Sequence, residues 1–409
     1  MSGESRTEVW TGQRGHLLVG QSGGPTAVIN ASLAGIVHEA MAHDEIDGIY
    51  GVRFGVRGLL DGDIIDLRQQ ATSVWDIVAR TPSAALGSCR YRLSDDDAQR
   101  VIQMLRQFGI RYFLYIGGND SADTALRLTR AAAEAHYDLQ VICVPKTIDN
   151  DLPETDHCPG FGSAARFVAL ATRDSALCTR AMPDHFPVKV IEVMGRDAGW
   201  LAAAATLGRS QWTDPPHLIY LPEFPLHEAQ FLADVTRVHA ERGYVIAVVA
   251  ETVRDESGRS LGSLQSQGSD AFGHPLVGGA AQYLLRRVRE LTGLRARYDK
   301  PGDLQRMSSA AVSETDFSEA EQTGRAAVLA ALTGRTGTMV GLARAGGQVY
   351  DCTTTLVPLE RVANRIRPIP SEFLTADGRD VTDAFRQYAT PLLGSPLPVQ
   401  GELDFSRRV

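Results

Sequence analysis

The chemistry of this chain concentrates in one heptapeptide, Pro145-Lys146-Thr147-Ile148-Asp149-Asn150-Asp151, which places an ammonium and two carboxylates in a single loop. A carboxylate beside a fixed cation stays ionised and can take a proton from a hydroxyl, and the cation can neutralise charge growing on a phosphate. The lysine carries extra weight because there are only three, Lys146, Lys189 and Lys300; the other 38 of the 41 basic residues are arginine. An isolated Asp-Asn-Asp reads equally well as a helix cap with solvated neighbours. The adjacent lysine and a nearby glycine loop shift the balance toward chemistry.

Other loops offer complementary groups. In Gly117-Gly118-Asn119-Asp120-Ser121 the glycines permit close backbone approach, and the polar pair presents oxygens of the kind that suit Mg²⁺. Ser22-Gly23-Gly24-Pro25, just before an amphipathic segment, has the physical recipe for phosphate binding, although a plain chain reversal uses the same residues. Neither a Walker A loop nor a Gly-Lys pair occurs, which excludes the P-loop mechanism. Gly160-x-Gly162-x-x-Ala165 matches a dinucleotide fingerprint in form only, because it follows a polar segment rather than a strand. Arg90, Arg196, Arg297 and Arg306 are candidate phosphate forks, against the plain alternative of solvated surface arginines. Glu251 ends an apolar run and reads as a satisfied strand-end carboxylate or a ligand for sugar hydroxyls.

The elements that must position these loops alternate along the chain. Short apolar runs at 16–20, 111–116 and 139–144 read as buried strands, and each ends in one of the three polar loops. Helical spacing follows at 27–42 and through about Ala135. Open α/β sheets gather ligands at the carboxyl ends of their strands, so the three loops are expected to share a site. Beyond the Pro/Gly-rich stretch 153–162, runs at 189–193, 217–221 and 244–250 predict a second α/β lobe facing the first. Residues 255–275 read as an excursion, and the last forty residues, rich in proline, as a segment wrapping an existing surface.

The 409 residues, 44% hydrophobic and 22% charged, suffice for two or more cores and exclude a disordered or fibrous chain. With 41 basic and 49 acidic residues the net charge is -8, which predicts no nucleic acid and no membrane partner and leaves anionic ligands to local cations. The longest apolar stretch, Trp200 to Leu207, is eight residues, against roughly 20 for a membrane span. The first residues lack a basic region and an apolar core, so the cytoplasm is the expected compartment. Five scattered cysteines and ten histidines show no metal-ligand spacing, and the cysteines are expected to be buried thiols.

Taken in order, Ser22-Gly-Gly-Pro, Leu86-Gly-Ser-Cys-Arg, Gly117-Gly-Asn-Asp-Ser, Lys146-Thr-Ile-Asp-Asn-Asp, Glu192-Val-Met-Gly-Arg, Pro222-Glu-Phe and Leu304-Gln-Arg resemble the 6-phosphofructokinase family over about residues 15 to 345. The resemblance implies an α/β phosphofructokinase-like fold of two facing, three-layer Rossmann-like lobes with the active site in the cleft. Residues 1–160, with about 305–355, would form the donor lobe, 161–304 the sugar-phosphate lobe and 356–409 the wrapping segment. Asp120 and Lys146 stand where ATP-using relatives carry glycine, so the chain looks like the pyrophosphate-dependent branch. The carboxylate would occupy the place of a nucleotide α-phosphate, and the lysine would supply charge to pyrophosphate.

The implied reaction is reversible transfer from Mg²⁺-pyrophosphate to the 1-hydroxyl of fructose 6-phosphate, with Asp149 as base. Gly24, Lys146 and Arg90 would meet the donor. Thr147, Ile148, Asp149 and Asp151 would touch or support the substrate; Met194, Gly195, Arg196 and Glu251 would line the sugar pocket. Arg297 and Arg306 would hold the 6-phosphate, one or both across a subunit interface, which implies a homodimer or homotetramer. Competing readings are an ATP-dependent phosphofructokinase and a non-catalytic sugar-phosphate-binding subunit. Three departures stand out. The usual metal-site aspartate is Asn119, the usual His or Tyr before Leu-Gln-Arg is Asp303, and an arginine is missing near Pro187, which together could move sugar preference toward sedoheptulose 7-phosphate.

Overall fold

The computed structural model describes residues 14–262, 279–347, 349–401 and 403. In chain order its strands are β1 (Gly15–Gln21), β2 (Ile46–Val52), β3 (Ile64–Asp66), β4 (Ile110–Gly117), β5 (Gln140–Pro145), β6 (Val188–Val193), β7 (Leu218–Tyr220), β8 (Val245–Ala250), β9 (Ala296–Asp299), β10 (Thr338–Arg344) and β11 (Cys352–Pro358). Two sheets result. The larger runs β11-β10-β5-β4-β1-β2-β3 and the smaller β7-β8-β6-β9. All pairings are parallel except those of the edge strands β3 and β11.

Both sheets are covered on both faces, which is why their strands read as continuous apolar runs rather than alternating ones. Leu17, Val19, Tyr112, Leu114 and Ile116 pack on one face of the larger sheet, and Leu18, Phe113, Tyr115 and Cys143 on the other. In the smaller sheet Val188 and Val190 face one core while Ile191 and Val193 face the other. Strand order reverses at β1: the chain leaves toward β2 and β3, then returns to lay β4 and β5 on the opposite side. At such a switch point the loops after neighbouring strands diverge and leave a crevice at the carboxyl ends.

Several sequence expectations need correction. The last forty residues do not lie on a finished surface; Leu374, Val381, Phe385, Ala389, Leu392 and Leu393 belong to the core cluster that covers the smaller sheet. Their prolines break periodicity without preventing burial. Of the five cysteines only Cys143 and Cys158 are buried, and Cys178 is exposed, because the helix Phe161–Ala181 buries Thr172, Ala176 and Thr179 on another face. Most of the 255–275 excursion lies outside the described residues. No helix among the described residues is long and apolar enough to cross a membrane.

A buried cluster beneath the β5 loop bears on metal binding. His157 donates from Nδ1 to Asp156 at 2.8 Å and from Nε2 to Glu319 at 2.6 Å, and Cys352 lies beside them. Burial alone would discharge the ring, but its hydrogen bonds to Asp156 and Glu319 outweigh it and raise the His157 pKa. Both ring nitrogens are already engaged by carboxylate oxygens at hydrogen-bond distance, which leaves neither turned to a metal. The cluster ties helix Glu314–Leu332 to the loop.

Candidate active site

Because β5, β4 and β1 are neighbours, their three following loops meet, and Lys146 fastens them together. Its main-chain N–H donates to Gly117 O at 3.0 Å, while its buried Nζ donates to Gly24 O at 2.7 Å. Gly23 has φ +76, and a Cβ there would lie 3.2 Å from Lys146 Nζ. At Gly24 a Cβ would come within 2.6 Å of Arg306 Nη1. The positive φ favours glycine at Gly23, while a side chain at Gly24 would have to displace the tip of Arg306. The 87–90 loop is stitched to the same turn: Ser88 Oγ donates to Gly23 O at 2.5 Å and Gly23 N–H to Cys89 O at 3.3 Å, which sets the exposed Arg90 at the rim.

Within the β5 loop, Thr147 Oγ1 accepts the Asp149 N–H at 3.1 Å. Asn150 adopts φ +55; its Oδ1 accepts from Cys158 N and its Nδ2 donates to the Tyr388 hydroxyl at 3.1 Å. Asp151 Oδ1 is buried without a hydrogen-bond partner. Burial pushes the Lys146 ammonium down to about 8, with Asp149 opposing and Arg306 and Arg196 reinforcing the shift. Burial likewise raises the Asp149 carboxyl against the pull of Arg196, and Glu251 adds to the rise. Asp151 is pushed up to about 6, by burial first and by Asp149 second. Two carboxylates with raised pKa values beside a cation with a lowered one is the signature of groups held for proton and charge transfer.

The smaller sheet supplies the opposite wall. Met194 N–H donates to Gln305 Oε1 at 3.0 Å, Gly195 has φ +139 and Arg196 φ +46. That backbone path aims Arg196 Nη1 at Asp120 Oδ2, 3.9 Å away on the β4 loop. Glu251 follows β8, its N–H on Val193 O at 2.9 Å; burial, then Glu192, raises its carboxyl, while Lys300 opposes. Lys300 holds Glu192 at 2.7 Å and Lys189 holds Asp299 at 3.1 Å, so of the three lysines only Lys146 faces the loops.

The structure brings Gly24, Lys146, Thr147, Asp149, Asp151, Asp120, Arg196, Glu251 and Arg306 into one neighbourhood. Arg306 sits against Gly24 and is paired with Asp303 at 2.7 Å, so Asp303 is turned onto a cation. Three of the expected site residues stand elsewhere in this chain. Arg297 stands in register with Lys189, near the start of β6, with its guanidinium 3.5 Å over the Phe186 ring. Ile148 is not presented to a ligand: it is buried in the core cluster of the smaller sheet with Ile191, Val193 and Trp200. Asn119 has both side-chain atoms on the backbone of residues 364–365, its Oδ1 accepting the Asn364 N–H at 2.8 Å and its Nδ2 donating to Arg365 O. Asp120, in the first turn of the helix that follows β4, presents a carboxylate beside these loops, and such a donor fits Mg²⁺.

Sequence reasoning missed the supporting groups. Arg367 holds the main chain of the β5 loop through Asn150, Thr155 and Asp156. Gln21 accepts from Leu86 N at 2.9 Å and donates to Asn30 at 2.9 Å, which fixes the 84–90 loop. Gln305 lay within a quoted motif; nothing local marked the other two.

Glycine turns, cations and carboxylates converging from the strand ends of two α/β sheets define a phosphoryl-transfer class of enzyme. The chain belongs to the phosphofructokinase family, whose profile, described as "Phosphofructokinase", matches residues 16–331. It is 40% identical over 94% of its length, and 93% of the relative's, to a pyrophosphate--fructose 6-phosphate 1-phosphotransferase of Xanthomonas campestris. A protein of the same name from Rhodospirillum rubrum is 41% identical over 94% of this chain and 96% of its own. Among solved structures, a pyrophosphate-dependent phosphofructokinase from Marinobacter aquaeolei superposes with a TM-score of 0.85 at 34% identity, covering 94% of both chains. The phosphofructokinase-like α/β fold expected from the motifs is the fold observed.

Proposed function

We infer that the chain transfers a phosphoryl group from pyrophosphate to the 1-hydroxyl of fructose 6-phosphate, giving fructose 1,6-bisphosphate and phosphate in a readily reversible reaction. One observation carries the choice of donor. Lys146 is buried with its ammonium pinned beneath the Gly23-Gly24 turn, and Asp120 stands opposite Arg196. A short donor lacks the binding energy of a nucleoside, and a fixed cation at its phosphates compensates. The names of the relatives support the same reading.

On this reading Asp149 takes the proton of the attacking hydroxyl, and burial, which raises its pKa, makes it a stronger base than an exposed carboxylate. Lys146, with Arg90 at the rim, stabilises charge on the phosphates in flight, while Gly24 allows their close approach. Thr147 fixes the β5 loop and Asp151 backs it. Met194, Gly195, Arg196 and Glu251 line the sugar side, and Arg306 offers a fork to a phosphate. Mg²⁺ bound with the donor would neutralise its oxygens, and Asp120 is the β4-loop residue fitted to hold it. We place the donor on the lobe of residues 1–160 with about 305–355 and the sugar on 161–304, in a cytoplasmic homodimer or homotetramer.

The deciding experiment follows fructose 1,6-bisphosphate formation by the purified chain with Mg²⁺ and fructose 6-phosphate, with pyrophosphate or ATP as donor. Turnover with pyrophosphate and none with ATP is expected. Turnover with ATP alone would overturn the role given to Lys146 and Asp120.

A further inference from the structure

The three loops of the cleft are joined on one side by Lys146. On the other side, two of them are joined by residues 364–367, which no reading of the motifs had connected with the site. Asn119, at the end of the β4 loop, gives its amide to Arg365 O and takes the Asn364 N–H. Asn364, itself at φ +59, donates from Nδ2 to Asp123 Oδ1 at 2.7 Å, on the same helix as Asn119. Three residues on, Arg367 turns to the β5 loop. Its Nε and Nη2 donate to Asn150 O at 3.3 and 2.8 Å, its Nη1 to Thr155 O and Asp156 O, and its N–H to Asp151 O at 2.8 Å. The guanidinium lies 4.7 Å over Trp200, whose Nε1–H returns a bond to Arg367 O at 3.2 Å.

We propose that residues 364–367 form a strap that sets the spacing of the two loops and the aim of Asp149, with Arg367 and Asn119 as its positioning residues. The proposal rests on the reading of Asp149 as the base. Its logic is stereochemical. The Arg367 side chain donates to the carbonyls of Asn150, Thr155 and Asp156, so its planar fork fixes peptide orientation rather than pairing a charge. The Asn150 carbonyl so held belongs to a residue at φ +55, flanked by Asp149 and Asp151. A rotation of that peptide would swing both carboxylates, and misplacement by an ångström is enough to cost ~100-fold in rate. The strap also accounts for Asn119. An amide can donate to Arg365 O while accepting from Asn364, whereas a carboxylate could only accept and would face a carbonyl oxygen.

The test uses the full chain with Arg367→Ala, Arg367→Lys and Asn119→Asp, beside Asp149→Ala. The strap is given no substrate contact, so Arg367→Ala is expected to lower kcat ~10–100-fold with both KM values nearly unchanged. Millimolar guanidinium should restore part of that kcat to Arg367→Ala and none to Asp149→Ala. Lysine, a point charge with no fork, should recover little, and Asn119→Asp should lower kcat to a smaller degree. If Arg367→Ala does not fold, the lysine and Asn119→Asp variants carry the test. Unchanged kcat in the folded variants, or a loss that appears in KM, or a loss that guanidinium leaves untouched, would overturn the strap. Full activity in Asp149→Ala would overturn the base instead, so the two failures are distinguishable.

Discussion

The two walls of the cleft are built on different principles. On the wall from the larger sheet, the groups assigned to the donor under the proposed function are fastened to one another: Lys146 joins three loops through Gly117 and Gly24, and the 364–367 strap braces two of them from behind. On the wall from the smaller sheet, Met194, Gly195 and Arg196 hang on Gln305, and Arg297 stays with Phe186 near the start of β6. The wall from the smaller sheet carries Glu251, its carboxyl raised by burial, and under the proposed function Arg297, held against Phe186, would offer its phosphate fork to a partner subunit. The larger-sheet wall is thus cross-tied between loops, whereas the smaller-sheet wall is held through single contacts such as Met194 on Gln305.

The largest expected effect comes from the donor wall. Asp149→Ala should lower kcat by ~10²–10⁴-fold with far smaller change in either KM, as removal of a general base does, and steady-state kinetics with both substrates varied will read it. Lys146→Met should cost ~10²–10³-fold in pyrophosphate-dependent turnover, comparable to the loss of one preorganised charge donor.

The same substitution should stabilise the free protein by about 1–3 kcal/mol, because the wild type folds with an ammonium whose pKa has dropped to about 8. Between that value and the ordinary lysine range the unfolded chain binds more protons than the folded one. Wild-type stability should therefore rise with pH across that window, and Lys146→Met should lack the rise in denaturant titrations. Stability and function pull apart at this residue.

The pH profile sharpens the contrast further. Turnover should fall as pH rises through about 8, where Lys146 loses its charge, and fall on the acid side at a higher pH than an ordinary carboxylate would give, since Asp149 is raised. Lys146→Arg should move the basic limb upward and leave the acid limb in place. The smallest effect belongs to the sugar wall: Arg297→Ala should raise the KM for fructose 6-phosphate several-fold in the assembled protein without touching the KM for pyrophosphate. An equal rise in both would place Arg297 on neither wall and remove the asymmetry.

Much of this was legible in the sequence. The strands before the three loops are buried on both faces, so they read as apolar runs, and the polar loops after them stand out by contrast. Strand bounds came within a residue or two; the helix expected over 27–42 is Ile29–Met41. Arg306 and Arg297, nine positions apart in a single segment, look equivalent in sequence. Only the fold puts one against Gly24 and the other on Phe186. Ile148 sat inside a catalytic motif and was read with it, yet it packs as core, because a loop entering a cleft between two sheets needs an apolar foot in one of them.

By itself the sequence determined the α/β class, the three loops, the cation and carboxylates they carry and the family they resemble, because each depends on neighbours within a few residues. Only the tertiary structure decided which loops are adjacent, which arginine of 38 holds the β5 loop and why position 119 is an amide. Asn119 meets Asn364 across 245 residues and Arg367 meets Asn150 across 217. Contacts of that span leave no periodic or local trace, since the residue types involved are common and only the closing of the chain makes them partners.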